Sequence, residues 1–354
     1  MRSAVITLVS ALHEVDADRL ATRIAAPEST GGRLGGPGAR SHRLHVTGSA
    51  FAAAREIASR TDQLDRVCGP DAEHHLVVTL APDADTRAVG MLLANAAMSE
   101  HGDDRVLRHA VTVLRADEVA HLLWSDVDDA FLAADRVTAL VEYSTVIALD
   151  RFAGLTGRRR RALVALLHRL APHALIVALD SVRSASDLPA SNGGAARLLA
   201  SGAGWMRALS SGADLGRGAC DDLVTLRYRE PLPFHPGRLA SVIGDDLAAG
   251  VNGRVLRSRG FFCLASRPDH VGSWSSFGAM LALDPTANPS WDEDAPVGQA
   301  IWFVGERLDV SGIERALDGA LLTPEELLAG PALWRTWADP FPVWPAFEHE
   351  HGQD

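Results

Sequence analysis

The amino-terminal stretch Ala4-Val5-Ile6-Thr7-Leu8-Val9 decides how the first half of the chain folds. It is a continuous, mostly aliphatic run of strand length, which is typical of a strand that is buried on both faces. Charged residues follow after a few positions, and residues 16–26 have a helix-like composition. A buried strand that leads directly into a helix is typical of a β–α–β unit, so this stretch predicts a parallel sheet.

The same alternation of strand-like and helix-like segments continues to about residue 180. Short aliphatic runs predict further strands at Leu76–Leu80, Ala110–Leu114, Val146–Leu149 and Leu175–Leu179. Between them, helices are predicted at Ala50–Ser59 and Arg160–Leu170. This alternation predicts an α/β domain whose parallel sheet is covered by helices on both faces.

The composition changes between residues 184 and 221, where segments rich in serine and glycine predict a linker. The predicted domains are therefore residues 1–183 and 222–354. Strands outnumber helices in the second domain, which predicts a smaller α+β fold. Its predicted strands are Leu223–Tyr228, Val255–Ala265, Ser273–Leu283 and Ala300–Val304, and its predicted helices are His235–Asp246 and Val310–Leu322.

All 34 basic side chains of the 354-residue chain are arginine. Because arginine has no primary amine, a Schiff-base lysine, a pyridoxal-phosphate anchor and a lysine-bearing phosphate loop are excluded. The formal net charge of −11 argues against a broad nucleic-acid footprint, and no DNA partner is expected. Three scattered cysteines indicate a reducing compartment. No segment is apolar enough to span a bilayer, so a cytoplasmic protein without a membrane partner is expected.

The second half of the chain resembles a known family in several ordered motifs. Residues 229–239 are REPLPFHPGRL, and residues 257–269 are RSRGFFCLASRPD. With Trp274, Gly278 and residues 303–305, they resemble the C-terminal domain of the CobW family of GTPases and metallochaperones. The closing segment WADPFPVW is similar to an actinobacterial branch of this family. The resemblance implies a P-loop-GTPase-like parallel sheet followed by a CobW-type C-terminal domain.

The phosphate loop of that family falls on residues 10–18 of this chain, where its chemistry is missing. The residues at the positions of the three glycines, the lysine and the metal-binding hydroxyl are, in order, Ala11, Glu14, Asp16, Ala17 and Asp18. Three carboxylates therefore stand where a triphosphate would lie. Like charges ~4 Å apart repel by about 4 kcal/mol at the effective dielectric of a protein surface. A degenerate loop that does not bind GTP is expected.

The guanine-reading motif of the family, Asn-Lys-x-Asp, is also degenerate. It falls on Asp150, Arg151, Phe152 and Ala153, and Ala153 removes the carboxylate that contacts the base. Of the acidic metal-site motif that follows the third strand in the family, only Asp85 remains as a candidate. These residues predict a protein without catalytic residues of the GTPase type.

The cysteine-rich metal motif of the family is reduced to one cysteine here. Cys68 is followed by Asp71, Glu73, His74 and His75. Zinc accepts thiolate, imidazole and carboxylate ligands, so Cys68, His74 and His75 are candidate ligands and zinc is the one candidate cofactor. The alternative interpretation is a polar loop that leads into the strand at Leu76.

Candidate partner-binding residues come from the family motifs and from the placement of tryptophan. They are Phe234, His235, Arg238, Arg267, Asp269, Trp337 and Trp344. The first five also fit a purely structural role, in turns held by proline, an aromatic anchor or an ion pair. The two tryptophans flank a proline-rich segment that is hard to bury, and exposed aromatic side chains of this kind often anchor partners.

A run of four arginines, Arg158–Arg161, lies at the start of a predicted helix. Such a run is either a patch that contacts phosphate or RNA, or a solvated junction between a loop and a helix.

For function, the resemblance implies a role in zinc homeostasis that is exercised by binding rather than by turnover. Actinobacterial relatives with a similarly degenerate phosphate loop help a hibernation factor dock on zinc-free ribosomes during zinc starvation. The ribosome or such a factor is therefore the expected partner, and an acidic chain suits a basic protein surface better than rRNA. The alternatives are a zinc-binding metallochaperone that does not use GTP and a residual GTPase whose arginines hold the phosphates.

Overall fold

The computed structural model describes residues 4–26, 40–68, 74–97, 106–124, 131–188, 203–211, 223–248, 250–293 and 295–344. The chain divides into two compact units, residues 1–122 with 130–204 and residues 123–129 with 205–354. Much of the predicted linker, residues 189–202 and 212–221, lies outside the described residues. Within the described part of the chain, no helix is long and apolar enough to cross a membrane.

The first unit contains a six-stranded parallel sheet, which confirms the α/β prediction. Its strands are β1 (Val5–Ala11), β2 (Arg40–Val46), β3 (His74–Leu80), β4 (Val106–Arg115), β5 (Val146–Asp150) and β6 (Leu175–Ala178). Its α-helices are α1 (Glu14–Ala25), α2 (Ala50–Cys68), α3 (Thr86–Ala97), α4 (Ala116–Trp124), α5 (Phe131–Glu142) and α6 (Gly157–Leu170). The strand order is β2-β3-β1-β4-β5-β6, and every pairing is parallel.

Helices cover both faces of this sheet, and the alternation of side chains along β1 shows how. Ile6 and Leu8 belong to a buried cluster with apolar residues of α2 and α3. Val9 and Ala11 belong to a second cluster with apolar residues of α1. Because successive strand residues point to opposite faces, one aliphatic strand supplies both cores.

The central position of β1 makes its carboxyl end a natural ligand site. β1 lies between β3 and β4, so the chain continues to one side of it through β2 and β3 and to the other through β4 to β6. In open parallel sheets, ligands bind outside the carboxyl ends of the strands where the strand order reverses. The turn between β1 and α1 lies at this point.

The second unit is built on a five-stranded antiparallel sheet with helices, which confirms the α+β prediction. Its strands are β7 (Leu223–Glu230), β8 (Arg254–Cys263), β9 (His270–Phe277), β10 (Met280–Pro289) and β11 (Gln299–Glu306), in the order β10-β9-β8-β11-β7. Its helices are α7 (Gly204–Ser211), α8 (Pro236–Ser241), α9 (Val310–Ala320), α10 (Pro324–Ala329) and α11 (Pro331–Trp334). Phe234, Trp274, Phe303 and Ile313 lie in its core.

Two predicted elements of this unit were wrong in detail. The predicted strand Ser273–Leu283 is a hairpin, in which β9 and β10 are joined at Gly278. Gly278 has a φ of 59°, in the left-handed region that favours glycine, so the backbone reverses there. The predicted helix His235–Asp246 is the short helix α8 followed by a π-helical turn, Val242–Asp246.

Candidate functional site

The turn between β1 and α1 is too short to form a phosphate loop. β1 ends at Ala11 and α1 begins at Glu14, so only Leu12 and His13 connect them. The backbone oxygen of His13 accepts hydrogen bonds from the amides of Asp16 at 3.0 Å and Ala17 at 3.4 Å. A phosphate loop needs amides that point into an open turn toward the anion. At Asp16 and Ala17 the amides are already used by the first turn of the helix.

The backbone of this segment also lacks the conformation that a phosphate cradle requires. Within residues 4–26, every residue has a negative φ. Anion-binding nests form where right- and left-handed residues alternate, which is why glycines are usual there. The family's glycine positions are occupied by Ala11, Glu14 and Asp16, and the backbone there forms an ordinary strand-to-helix turn.

The most buried carboxylate of this segment is held by an ion pair. Asp16 is only 6% exposed, and its Oδ2 accepts a hydrogen bond from Nε of Arg115 at 2.7 Å. Arg115 is the last residue of β4, the strand next to β1. The hydrogen bond to Asp16 raises the pKa of Arg115 above its usual value, so Arg115 stays charged at neutral pH.

The other two carboxylates of the segment also have basic partners. Oδ1 of Asp18 accepts hydrogen bonds from Nη2 of Arg43 and from Oγ1 of Thr79, both at 3.1 Å. Oε1 of Glu14 lies 3.3 Å from Nε2 of His45. The sequence suggested three carboxylates that repel a triphosphate. The structure shows three carboxylates that already have partners, so their repulsion of a phosphate is weaker than the sequence suggested.

The predicted guanine motif lies at the same edge of the sheet. Asp150 ends β5, and its Oδ2 lies 2.9 Å from Nη2 of Arg19 in α1. Arg151 follows with a φ of 52°, and its Nη1 lies 3.4 Å from a carboxylate oxygen of Asp117. The acidic candidate Asp85 accepts the backbone N–H of Ala88 at 2.9 Å, so it caps α3.

The structure does not bring the candidate zinc ligands His74 and His75 together. Both lie in β3, where neighbouring side chains point to opposite faces, so one ion cannot bind both rings. The side chain of Cys68 lies outside the described residues, as do Asp71 and Glu73. Among the described residues, no group of three or more histidine, cysteine or acidic side chains has the geometry to hold a metal.

The two histidine rings have different surroundings. Nε2 of His75 is 3.0 Å from the hydroxyl of Thr7, and burial lowers the pKa of His75 to about 4. His74 is 2% exposed, and neither of its ring nitrogens has a hydrogen-bond partner. Its ring centroid is 5.9 Å from that of His42, and its Nε2 is 4.0 Å from Oδ1 of Asp65 in α2. His74 rather than His75 therefore has free ligand capacity.

In the second unit, Phe234 was wrongly predicted to contact a partner. Its side chain is fully buried and pairs with Tyr228 in a stacked arrangement, with ring centroids 6.2 Å apart. His235 next to it uses Nδ1 to accept the backbone N–H groups of Gly237 and Arg238, and so caps α8. These residues build the strand-to-helix turn.

Arg238 also has a structural role. Its guanidinium donates to both carboxylate oxygens of Glu326, at 2.8 and 2.6 Å, and to the backbone oxygen of Leu321. The hydrogen bond from Arg238 lowers the pKa of Glu326 to about 2. This bidentate pair ties α8 to α10.

The remaining candidates hold the segment 335–344, which we call the C-terminal strap, against its own unit. Arg267 donates to a carboxylate oxygen of Asp339 at 2.8 Å, and its guanidinium lies 4.4 Å above the ring of Trp344. The ring of Trp337 stacks on that of His235, with centroids 4.8 Å apart. Nη2 of Arg335 lies 2.8 Å from Oδ2 of Asp269. Trp344 donates its indole N–H to the backbone oxygen of Leu283 at 3.0 Å. The sequence did not reveal these pairings because the partners are distant along the chain.

Comparison with known proteins agrees with this architecture. Residues 223–321 match the model of the cobalamin synthesis protein cobW C-terminal domain, so the second unit carries a domain of this family. This confirms the resemblance seen in the sequence.

Two curated relatives match parts of the chain. A zinc-regulated GTPase metalloprotein activator of Dictyostelium discoideum is 35% identical, over 32% of this chain and 28% of its own. A zinc chaperone of Mycobacterium tuberculosis is 30% identical, over 51% of this chain and 49% of its own. The chain thus spans at most about half the length of these relatives. A Zn(II)-bound YjiA GTPase from E. coli aligns over 91% of this chain and 100% of its own at 12% identity, with a TM-score of 0.34.

The Asp16–Arg115 pair should stabilise the first unit more than an exposed pair does. Replacing Arg115 by Ala leaves a buried carboxylate without its partner, and we expect a loss of about 3 kcal/mol in the free energy of unfolding. Arg43→Ala is the matched control, because the Arg43 and Asp18 side chains are 44% and 42% exposed. It should cost less than about 1 kcal/mol. Urea denaturation measures both, and equal losses would contradict the buried-pair interpretation.

Proposed function

We propose that this chain acts in zinc homeostasis by binding a partner and does not hydrolyse nucleotide. The observation that carries the proposal is the closed turn between β1 and α1. The amides of Asp16 and Ala17 are used by His13, and the Asp16 carboxylate is buried against Arg115. The chain has no lysine to replace the missing phosphate contact.

Opening this turn for a nucleotide would be costly. A triphosphate would have to displace Arg115 from Asp16, and breaking a buried ion pair costs about 3–5 kcal/mol. It would also have to release the amides that close the first turn of α1. Two arginines that could replace lysine near this turn, Arg115 and Arg43, are already paired with Asp16 and Asp18.

The zinc part of the proposal is supported by the names of the relatives and by the cobW C-terminal domain. One relative is called a zinc-regulated GTPase metalloprotein activator and the other a zinc chaperone. The second unit keeps a complete core and a cobW C-terminal domain, while the nucleotide edge of the first unit is closed. An intact second unit beside a closed nucleotide edge suits a protein that acts by binding a partner.

The sharper form of the proposal is recruitment of a hibernation factor to zinc-free ribosomes under zinc starvation. A net charge of −11 favours contact with basic proteins, because complementary charge speeds encounter and disfavours acidic partners. The C-terminal strap is a suitable contact segment, since its residue Val343, next to Trp344, is exposed.

Nucleotide titration tests the non-hydrolysing role. Fluorescently labelled GTP with magnesium is added to the purified chain, and a lysine-bearing GTPase is titrated in parallel. We expect no saturable binding below about 1 mM, since the amides, lysine and hydroxyl that hold phosphates are missing. Saturable binding in the micromolar range, weakened by Arg115→Ala, would contradict the proposal.

Ribosome sedimentation tests the recruitment role separately. The purified chain is sedimented with ribosomes from zinc-starved and from zinc-replete cells of the same strain, with and without a hibernation factor. We expect more chain in the pellet with ribosomes from starved cells, and a further increase when the factor is added. Equal amounts of chain in both ribosome pellets would contradict recruitment. They would not affect the conclusion from the nucleotide titration.

A second candidate function, a zinc-binding metallochaperone that does not use GTP, is favoured by His74. Its buried ring nitrogens have no hydrogen-bond partner, and unpaired buried nitrogens are costly unless they bind a ligand. The ring of His42 lies on the same side, and Cys68 stays a predicted ligand.

A zinc titration of the reduced protein separates the two candidates. His74→Asn and Cys68→Ser should each weaken binding at least tenfold if this site binds zinc. His75→Asn is the matched control, because His75 is the next residue of the same strand and points to the other face. Equal binding by all four proteins would remove the metallochaperone candidate.

A further inference from the structure

The start of α6 carries the longest run of like charge in the sequence, Arg158–Arg161. The helix begins at Gly157, and Thr156 caps it by accepting the backbone N–H of Arg159 at 3.4 Å. The side chains of Arg158, Arg159 and Arg161 are exposed. Four positive charges are thus concentrated on one helical turn of a protein whose net charge is −11.

This placement opposes the electrostatics of the helix itself. The amino end of a helix carries a partial positive charge, so acidic side chains stabilise it and basic ones destabilise it by about 0.3–1 kcal/mol each. The first turn of α6 contains no acidic residue. Basic residues that break this helix rule repeatedly at one place are expected at a functional position.

Arg160 is the half-buried member of the run and closes the preceding loop. Its guanidinium donates to the backbone oxygens of Leu155 at 2.8 Å and Ala153 at 3.1 Å, and it lies 5.9 Å above the ring of Phe152. These contacts close the loop that leads into α6. The residue is half-buried, whereas the side chains on either side of it extend from the exposed part of the turn.

We propose that Arg158, Arg159 and Arg161 bind the phosphate backbone of RNA. Guanidinium groups match phosphate oxygens with two parallel hydrogen bonds, and the helix amino end adds a favourable field for the same anions. Arg158 and Arg161 are three residues apart, so they lie on the same side of the helix, and Arg159 lies beside them. A row of adjacent guanidinium groups fits a chain of phosphates better than it fits isolated carboxylates.

This site is independent of the closed nucleotide edge and of the proposed ribosome role. Its ligand is a polymer with a regular row of phosphates, and its contacts carry no sequence preference, because phosphate contacts position a protein without reading bases. The expected interaction is therefore sensitive to salt and insensitive to base sequence.

The test uses fluorescence anisotropy with the full chain and a labelled single-stranded RNA 12-mer. The variant R158E/R159E/R161E should bind at least tenfold more weakly than the unchanged chain. The control R55E/R66E/R315E makes the same change in net charge at three exposed arginines of α2 and α9, and should change affinity less than threefold. In the unchanged chain, the plot of log affinity against log salt should have a slope of about −2. Each phosphate contact to a single strand contributes about −0.7 to this slope, and three contacts are proposed.

Folding of the variants is monitored by urea denaturation. R158E/R159E/R161E should remain folded, since the three substituted side chains are exposed and Arg160, which closes the preceding loop, is unchanged. Loss of RNA binding by a stable variant, with the control unaffected, would support the site.

Three other results would overturn it. They are no RNA binding by the unchanged chain, equal weakening by both variants, and displacement of the RNA by tripolyphosphate or poly-glutamate at the same charge concentration. The last result would assign the arginines to small phosphates or to an acidic protein instead.

Discussion

The buried ion pair between Asp16 and Arg115 is the constraint on which the first unit depends. It joins the start of α1 to the end of β4, across the carboxyl edge where parallel sheets bind ligands. Its partners are 99 residues apart in sequence, so it forms only when β4 has paired with β1. With this pair in place, the turn after β1 stays short and its amides stay within the helix. The carboxyl edge of the sheet beside this turn is therefore occupied by paired side chains of the chain itself.

The second unit is stabilised differently, and its recognisable motifs are mostly structural. Phe234 fills the core, His235 caps a helix and Arg238 forms a bidentate pair with Glu326. Arg267 holds the C-terminal strap through Asp339 and the ring of Trp344. Residues that identify the domain in the sequence are therefore the ones that build it. Function has to be sought in what they leave exposed.

The fold class could be predicted from the sequence, but most side-chain contacts could not, and particular residues show why. The aliphatic run at residues 4–9 predicted β1 because a strand buried on both faces has a local signature. β2 was missed, since its alternating arginine and histidine residues give an edge strand no apolar run. The carboxylates at Glu14, Asp16 and Asp18 were recognised as wrong for phosphate. Their partners His45, Arg115 and Arg43 were not foreseen, because pairing depends on strand order, which composition does not contain.

Residue-resolved hydrogen exchange tests the central claim, that the first turn of α1 uses the amides which a phosphate loop would offer. The amides of Asp16 and Ala17 are compared in the free protein and in the presence of saturating GTP with magnesium. We expect slow exchange at both amides, unchanged by nucleotide, because each N–H is donated to the backbone oxygen of His13. Fast exchange in the free protein that becomes slow on adding GTP would contradict it, since the turn would then open to cradle phosphate.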